Sequence, residues 1–206
     1  MPAVSGRRRL SRDAVLRAAL TVIDEAGLEA CTMRAVAAEL GVEAMSLYWH
    51  VPGKDALLDG VVGMVLNEVA AEEPPDIADW RAGMAGFATT FRAVVLRHPN
   101  VVPLIAGRPL GAYAAASTMA DRGIARLEAA GFDRATALRA ARSVARYVVG
   151  FTLSEADRQT ATPPPPTDSP RLDELLAQVA GDDPGELFAF GLELMLDGLE
   201  ARLRRA

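Results

Sequence analysis

Apolar residues recur at helical spacing along nearly the whole chain, and no convincing run of alternating β-branched residues argues for a strand. Ser11 is placed to cap a helix whose apolar face is Val15, Ala19, Val22, Ile23 and Ala26, with Gly27 as its left-handed stop. Thr32 caps a second, short helix with Met33, Val36, Ala37 and Leu40 on one face, ended by Gly41. A third short helix is expected from Ala44 to Trp49, broken by Val51-Pro52-Gly53. From Lys54 a long apolar helix runs to about Ala71.

Glu72 to Asp76, with two prolines, reads as a linker. Trp80 to Arg97 is amphipathic, with Met84, Phe87, Phe91, Val94 and Val95 on one face, and His98-Pro99-Asn100 stops it. A short helix or turn over Val101 to Ala106 precedes Gly107 and Pro109. Leu110 to Ala130 reads as one helix ended by Gly131, and Asp133 caps another to about Ser154. Thr162 to Pro170, with four consecutive prolines, reads as a polyproline loop. A helix over Arg171 to Val179 follows, then a last one capped by Asp183, with Pro184 in its first position, to about Leu203. The expected fold is all-α: a three-helix N-terminal unit (residues 1–54) and a larger helical body (residues 55–206), joined by the helix from Lys54.

Charge changes this picture only once it is divided. The chain of 206 residues carries 22 basic and 27 acidic residues, a formal net charge of -5, which for the whole molecule argues against a nucleic-acid partner. Residues 1–54, however, hold seven basic and six acidic residues, so the acidity belongs to the body. Lys54 is the single lysine; every other basic residue is arginine. Arg7, Arg8 and Arg9 form either a solvated arm or one lying along phosphates or in a minor groove. No apolar run follows them, as a signal peptide requires. The most apolar stretch, Leu57 to Ala71, carries Asp59, Asn67 and Glu68 and is too short and charged to cross a bilayer. A cytoplasmic protein with no membrane partner is expected. One cysteine excludes an internal disulfide, and one cysteine with two histidines leaves too few ligands for a Cys/His zinc site. No metal site and no cofactor are expected.

Two short helices around Gly41 are the layout of a helix-turn-helix, whose second helix enters the major groove. The segment VEAMSLYWHV is poor in the long polar side chains that read base edges. Tyr48, His50 and Lys54, with the amides at the N-terminus of the second helix, suit phosphate contacts, which position a protein without reading sequence.

Thr32-Met33-Arg34, followed by LGVEAMSLYWHVPGKDALLD from Leu40 to Asp59, resembles the DNA-binding domain of the TetR family of bacterial regulators, and its tetracycline-repressor branch in particular. Trp80 with Phe91, Gly107-Arg108-Pro109, Gly131-Phe132 and FGLELMLDGLEARL from Phe190 extend the similarity through the body. The resemblance implies base contacts from Arg34, Ala44, Met45 and Ser46, and phosphate or packing contacts from Thr32, Tyr48, Trp49, His50 and Lys54. Ala44 and Met45 depart from the polar pattern of the tetracycline repressors. They can touch a thymine methyl group but cannot hydrogen-bond a base, so a different operator is expected. Trp49 alone fits a DNA contact or the small core equally well.

The last helix is apolar nearly all round, through Leu187, Phe188, Phe190, Leu192, Leu194, Met195, Leu196, Leu199 and Leu203, so it needs cover on more than one side. The Asp133 to Ser154 helix is rich in Ala and Gly, which permits close helix approach. Together they suit a four-helix homodimer interface, as the resemblance also implies, with burial inside a monomeric bundle as the alternative. Such a dimer sets two recognition helices about 34–36 Å apart on a palindromic double-stranded DNA operator.

Met64, Met84, Phe87, Phe91, Leu104, Ile105, Arg108, Tyr113, Met119, Arg146, Tyr147 and Phe151 are the candidate lining of an effector cavity, although taken singly most of the apolar ones also fit an ordinary core. Tetracycline repressors hold a magnesium–drug chelate with histidine, whereas Asn67-Glu68-Val69-Ala70 and Val102 to Ala106 contain none. The expected effector is therefore another small apolar or aromatic molecule, with Arg108 or Arg146 available to an anionic group. The sequence contains no G-x-S-x-G, no H-E-x-x-H and no glycine-rich phosphate loop, which argues against an enzyme. The alternative is a helical binding or adaptor protein with a degenerate helix-turn-helix, which Ala44 and Met45 keep open.

Overall fold

The computed structural model describes residues 10–72, 78–160, 167–179 and 181–205, with residues 157–160 described in backbone only. The arginine arm, most of the expected linker and the proline run lie outside them. The described residues form ten α-helices and no strand. These are α1 (Arg12–Ala26), α2 (Met33–Glu39), α3 (Ala44–Leu47), α4 (Lys54–Glu72) and α5 (Trp80–Val95), then α6 (Val102–Ala106), α7 (Ala114–Ala129), α8 (Arg134–Thr160), α9 (Pro170–Val179) and α10 (Pro184–Leu203).

The ends are set locally. Ser11 Oγ accepts from the Ala14 amide at 3.2 Å, and Thr32 Oγ1 from that of Ala35 at 3.1 Å. Asp79 and Asp183 cap α5 and α10 through the amides of Ala82 and Gly185. Gly41, at φ 64°, closes α2: its amide reaches Ala38 O and that of Val42 reaches Ala37 O, the paired bonds of a Schellman stop.

The small unit is built on Val15, Leu16, Ala19 and Ile23 of α1, Val36 and Ala37 of α2, and Leu47 of α3, all buried. Helix α4 packs against α1 and also against α5 and α7, so its buried residues Leu57, Val61, Val65 and Leu66 belong to one core extending through both parts. In the body, α8 packs against α5, α6, α7 and α10. The Trp80 ring meets Phe132 edge-on at 5.2 Å. Arg92 forms a bidentate pair with Glu155 at 2.9 and 2.6 Å and lies over the Phe188 ring, so one guanidinium ties α5, α8 and α10 together.

Three elements differ from expectation. The single helix over Leu110 to Ala130 is divided: Leu110–Ala112 is a 3₁₀ turn, Tyr113 is extended (φ -97°, ψ 128°), and α7 starts at Ala114. The break lets the Tyr113 hydroxyl reach Asp59 on α4 at 3.3 Å. Helix α8 continues past Ser154, because Thr152, Glu155 and Ala156 are buried and Arg92 holds Glu155 in place. Helix α3 ends at Leu47, and residues 48–50 form turns in which the amides of His50 and Val51 both reach Leu47 O at 2.9 Å.

The small unit is clasped to the body by the segment after α5. Asn100 Nδ2 donates to Ile23 O at 2.9 Å and Asp24 O at 3.2 Å, satisfying carbonyls in the last turn of α1. His98 faces Asp24 with one ring nitrogen and Glu68 of α4 with the other. Arg97 pairs with Glu72 and approaches Glu68.

Candidate nucleic-acid interface and body cavity

Leu47 is fully buried and fixes α3 to the small core, which turns its neighbours outward. Met45 is 72 % exposed and Trp49 is 90 % exposed, with Tyr48 about half exposed between them. Trp49 therefore does not pack in the small core. Three large apolar or aromatic side chains held in water on one short segment mark a binding surface. Thr32, Arg34 and Lys54 are exposed beside it; Ala44, Ser46 and His50 are half-buried. Arg34 and Lys54 have no ion pair among the described residues, so their charges are free for phosphates or bases. Ser46 Oγ donates to Glu43 O at 2.6 Å, which leaves the hydroxyl oxygen to accept. Burial pushes the Cys31 thiol up, with the Lys54 charge opposing, so this lone cysteine is an inert core residue.

The body contains a cavity of about 880 Å³ between α5, α6, α7 and α8. Of the residues proposed from sequence, Met84, Phe87, Phe91, Ile105, Arg108, Met119 and Arg146 line it. Met64, Leu104, Tyr113, Tyr147 and Phe151 do not. Leu104 is buried in the core, and Met64 packs against it. The Tyr147 hydroxyl donates to Phe188 O at 2.8 Å while its ring stacks on Phe188, and Phe151 meets the same ring edge-on at 5.2 Å. These two aromatics thus form the α8–α10 contact. Tyr113 is turned to α4, where burial and the Asp59 carboxylate raise its hydroxyl above the ordinary tyrosine range and keep it a donor. Arg126 and Arg142 also line the cavity. Neither is distinguishable in sequence from the other arginines of α7 and α8.

Arg108 connects the cavity to α4, the helix that joins the two parts. It lines the cavity, and its Nε donates to Asp59 Oδ1 on α4 at 2.6 Å. No group of three or more His, Cys, Asp or Glu side chains able to hold a metal ion occurs among the described residues. No helix among them is long and apolar enough to cross a membrane. On the outside of the body, Leu187, Phe190 and Leu194 form an exposed apolar stripe along α10, and Leu138 of α8 is also exposed.

Comparison with known proteins adds to this geometry. Residues 15–61 match the family described as "Bacterial regulatory proteins, tetR family", and residues 73–203 match "Tetracyclin repressor-like, C-terminal domain". The chain is 34% identical over 203 residues to the class C tetracycline repressor protein of Escherichia coli, covering 93% of this chain and 91% of that one. A variant of TetR from Acinetobacter baumannii AYE in complex with minocycline superposes with a TM-score of 0.79 at 32% identity, covering 96% of each chain. ActR from Streptomyces coelicolor in complex with (S)-DNPA gives a TM-score of 0.77 at 26% identity, covering 95% of this chain and all (100%) of that one.

Proposed function

The chain belongs to the tetR family of bacterial regulatory proteins, and on that premise we propose how it works: a homodimer occupies a palindromic operator through α2 and α3, and a small molecule in the body cavity releases it. It is a DNA-binding transcriptional repressor of the ligand-responsive kind, acting in the cytoplasm by binding and not by catalysis. Residues 1–54 carry the DNA contacts and residues 55–206 the sensor and the dimer interface.

One observation carries the reading. Arg108 borders the cavity and holds Asp59 on α4, the helix that begins at Lys54 beside α3. Occupancy of the cavity therefore reaches the DNA-contacting unit through one hydrogen bond and one helix. A ligand shifts such an equilibrium only by binding one state more tightly than the other, and displacement of a cavity-lining group supplies that difference.

On the DNA, Arg34 and Ser46 offer polar contacts to base edges, while Ala44 and Met45 offer apolar ones suited to thymine methyl groups. Thr32, Tyr48, His50 and Lys54 hold phosphates, and exposed Trp49 lies against the backbone. The dimer forms through α8 and α10, where the Phe190 stripe is covered by its symmetry mate. The minocycline bound by the A. baumannii relative and the (S)-DNPA bound by ActR support a ring-bearing effector. The absence of histidine at Asn67-Glu68 and in Val102 to Ala106 favours one bound without a metal chelate.

The test is fluorescence anisotropy with duplexes from the promoter flanking the protein's own gene, at several salt concentrations. Sequence-specific binding that weakens steeply with salt is the expected result. Equal affinity for promoter and scrambled duplexes would overturn the reading.

A further inference from the structure

The cavity lining is mostly apolar, with guanidinium groups grouped on α7 and α8. Met84, Phe87 and Phe91 of α5, Ile105 of α6 and Met119 of α7 are among its apolar residues, and Arg126 of α7 with Arg142 and Arg146 of α8 adds three guanidinium groups. None of these three guanidinium groups has an ion pair among the described residues, in contrast to Arg108, which Asp59 holds, and Arg92, which Glu155 holds. Asp121 is the single carboxylate among the lining residues. Arg142 and Arg146 lie one turn apart on α8 and share a face. Arg126 reaches inward along α5 because residue 83 is glycine: a Cβ there would fall 2.5 Å from Arg126 Nη1 and 2.7 Å from its Cδ.

Arg126 is half-buried and Arg142 and Arg146 are exposed, so three like charges border the open side of one cavity and repel one another there. An anion placed among them removes the repulsion and gains charge-assisted hydrogen bonds, which guanidinium donors form in pairs with carboxylate or sulfonate oxygens. We propose that the effector is an organic acid, with a ring-sized apolar body against Phe87 and Phe91 and an anionic group among Arg126, Arg142 and Arg146. This inference rests on the reading of the cavity as the effector site and gives that site its ligand class.

Two fluorescent probes that share a ring system separate the two ideas. One is 8-anilinonaphthalene-1-sulfonate, an aromatic acid; the other is N-phenyl-1-naphthylamine, the same body without the sulfonate. Both are titrated into the full-length protein. The acid is expected to bind at least about tenfold more tightly, and the double variant Arg142→Gln, Arg146→Gln to close that gap. Ala145→Trp from α8 and, independently, Ala120→Phe from α7 fill the cavity and are expected to abolish binding of both probes, with helicity checked by circular dichroism. Equal affinities in the unaltered protein, or a preference for the acid that survives the double variant, overturn the acid specificity and leave the cavity reading standing. Undiminished binding of both probes to a folded cavity-filling variant overturns the cavity reading, and this inference with it.

Discussion

The Nδ1 atom of His98 lies 2.8 Å from Asp24 Oδ2, and this contact joins the turn after α5 to the last turn of α1. The other ring nitrogen lies 3.3 Å from Glu68 Oε2 on α4. The second oxygen of Asp24 is buried without a partner among the described residues, so this carboxylate depends on the imidazole. His98→Ala is therefore expected to lower stability by about 1–3 kcal/mol in urea unfolding, through an unsatisfied Asp24. The same change loosens the small unit from the body, so operator affinity falls as well. Unchanged unfolding and unchanged anisotropy titrations would show that the clasp contributes nothing.

Leu47 and Trp49, two residues apart, are expected to behave in opposite ways. Leu47→Ala removes a fully buried side chain and should cost about 2–5 kcal/mol of stability. Trp49→Ala removes a side chain that is almost wholly in water, so stability should stay within about 0.5 kcal/mol while operator affinity drops. Loss of stability in the Trp49 variant would contradict its placement outside the core.

Lys54 is exposed, without an ion pair among the described residues, at the start of α4. Lys54→Ala should weaken binding to all duplexes alike and make the log–log salt dependence shallower by about 1, the effect of leaving one phosphate unneutralised. A change of sequence preference with an unaltered salt slope would assign the lysine to base reading instead.

The apolar stripe of α10 leads to a prediction about assembly. Phe190→Glu with Leu194→Glu places two charges in a surface that the proposed dimer buries, so sedimentation should report monomers and operator affinity should collapse. These side chains are exposed in the single chain, so its helicity should be retained. A dimer that survives both charges must use another face.

Burial raises the Tyr147 hydroxyl above its ordinary value of 10.0, with the nearby Arg92 charge opposing. A group whose pKa is raised on folding contributes stability that is complete below its unfolded value and is lost as pH climbs through the folded one. The melting temperature should therefore decline above pH 10, and decline less in Tyr147→Phe. Parallel declines in the two proteins would exclude this hydroxyl as a source.

What was legible in the sequence was mostly local. Ser11, Thr32 and Asp183 cap helices with their own side chains, and Gly41 stops one with its own backbone, so each boundary needs only a few neighbouring residues. The break at Tyr113 was not legible, because its partner Asp59 is 54 residues away in the chain. Helix periodicity puts the aromatics of α5 on one face, and Phe87 and Phe91 of that face line the cavity. It could not separate Tyr147 and Phe151 from them, because which face of α8 meets α10 depends on Phe188. Arg126 and Arg142 were invisible for the same reason: an arginine on a helix is ordinary until the packing shows what it faces. His98 looked like a helix stop, and its two carboxylate partners come from α1 and α4.

Helix α4 runs without interruption from Lys54 to Glu72. At 1.5 Å per residue, Lys54 stands about 21 Å along the axis from Glu68, where His98 grips the helix. On the mechanism proposed above, such a rod would act as a lever with its fulcrum at the clasp. A tilt of about 5° there carries Lys54 through about 2 Å, further than a hydrogen bond to a phosphate can stretch. Arg108 grips the same rod at Asp59, between fulcrum and tip, so on that mechanism a movement of about 1 Å at the cavity wall would be magnified where the protein meets DNA.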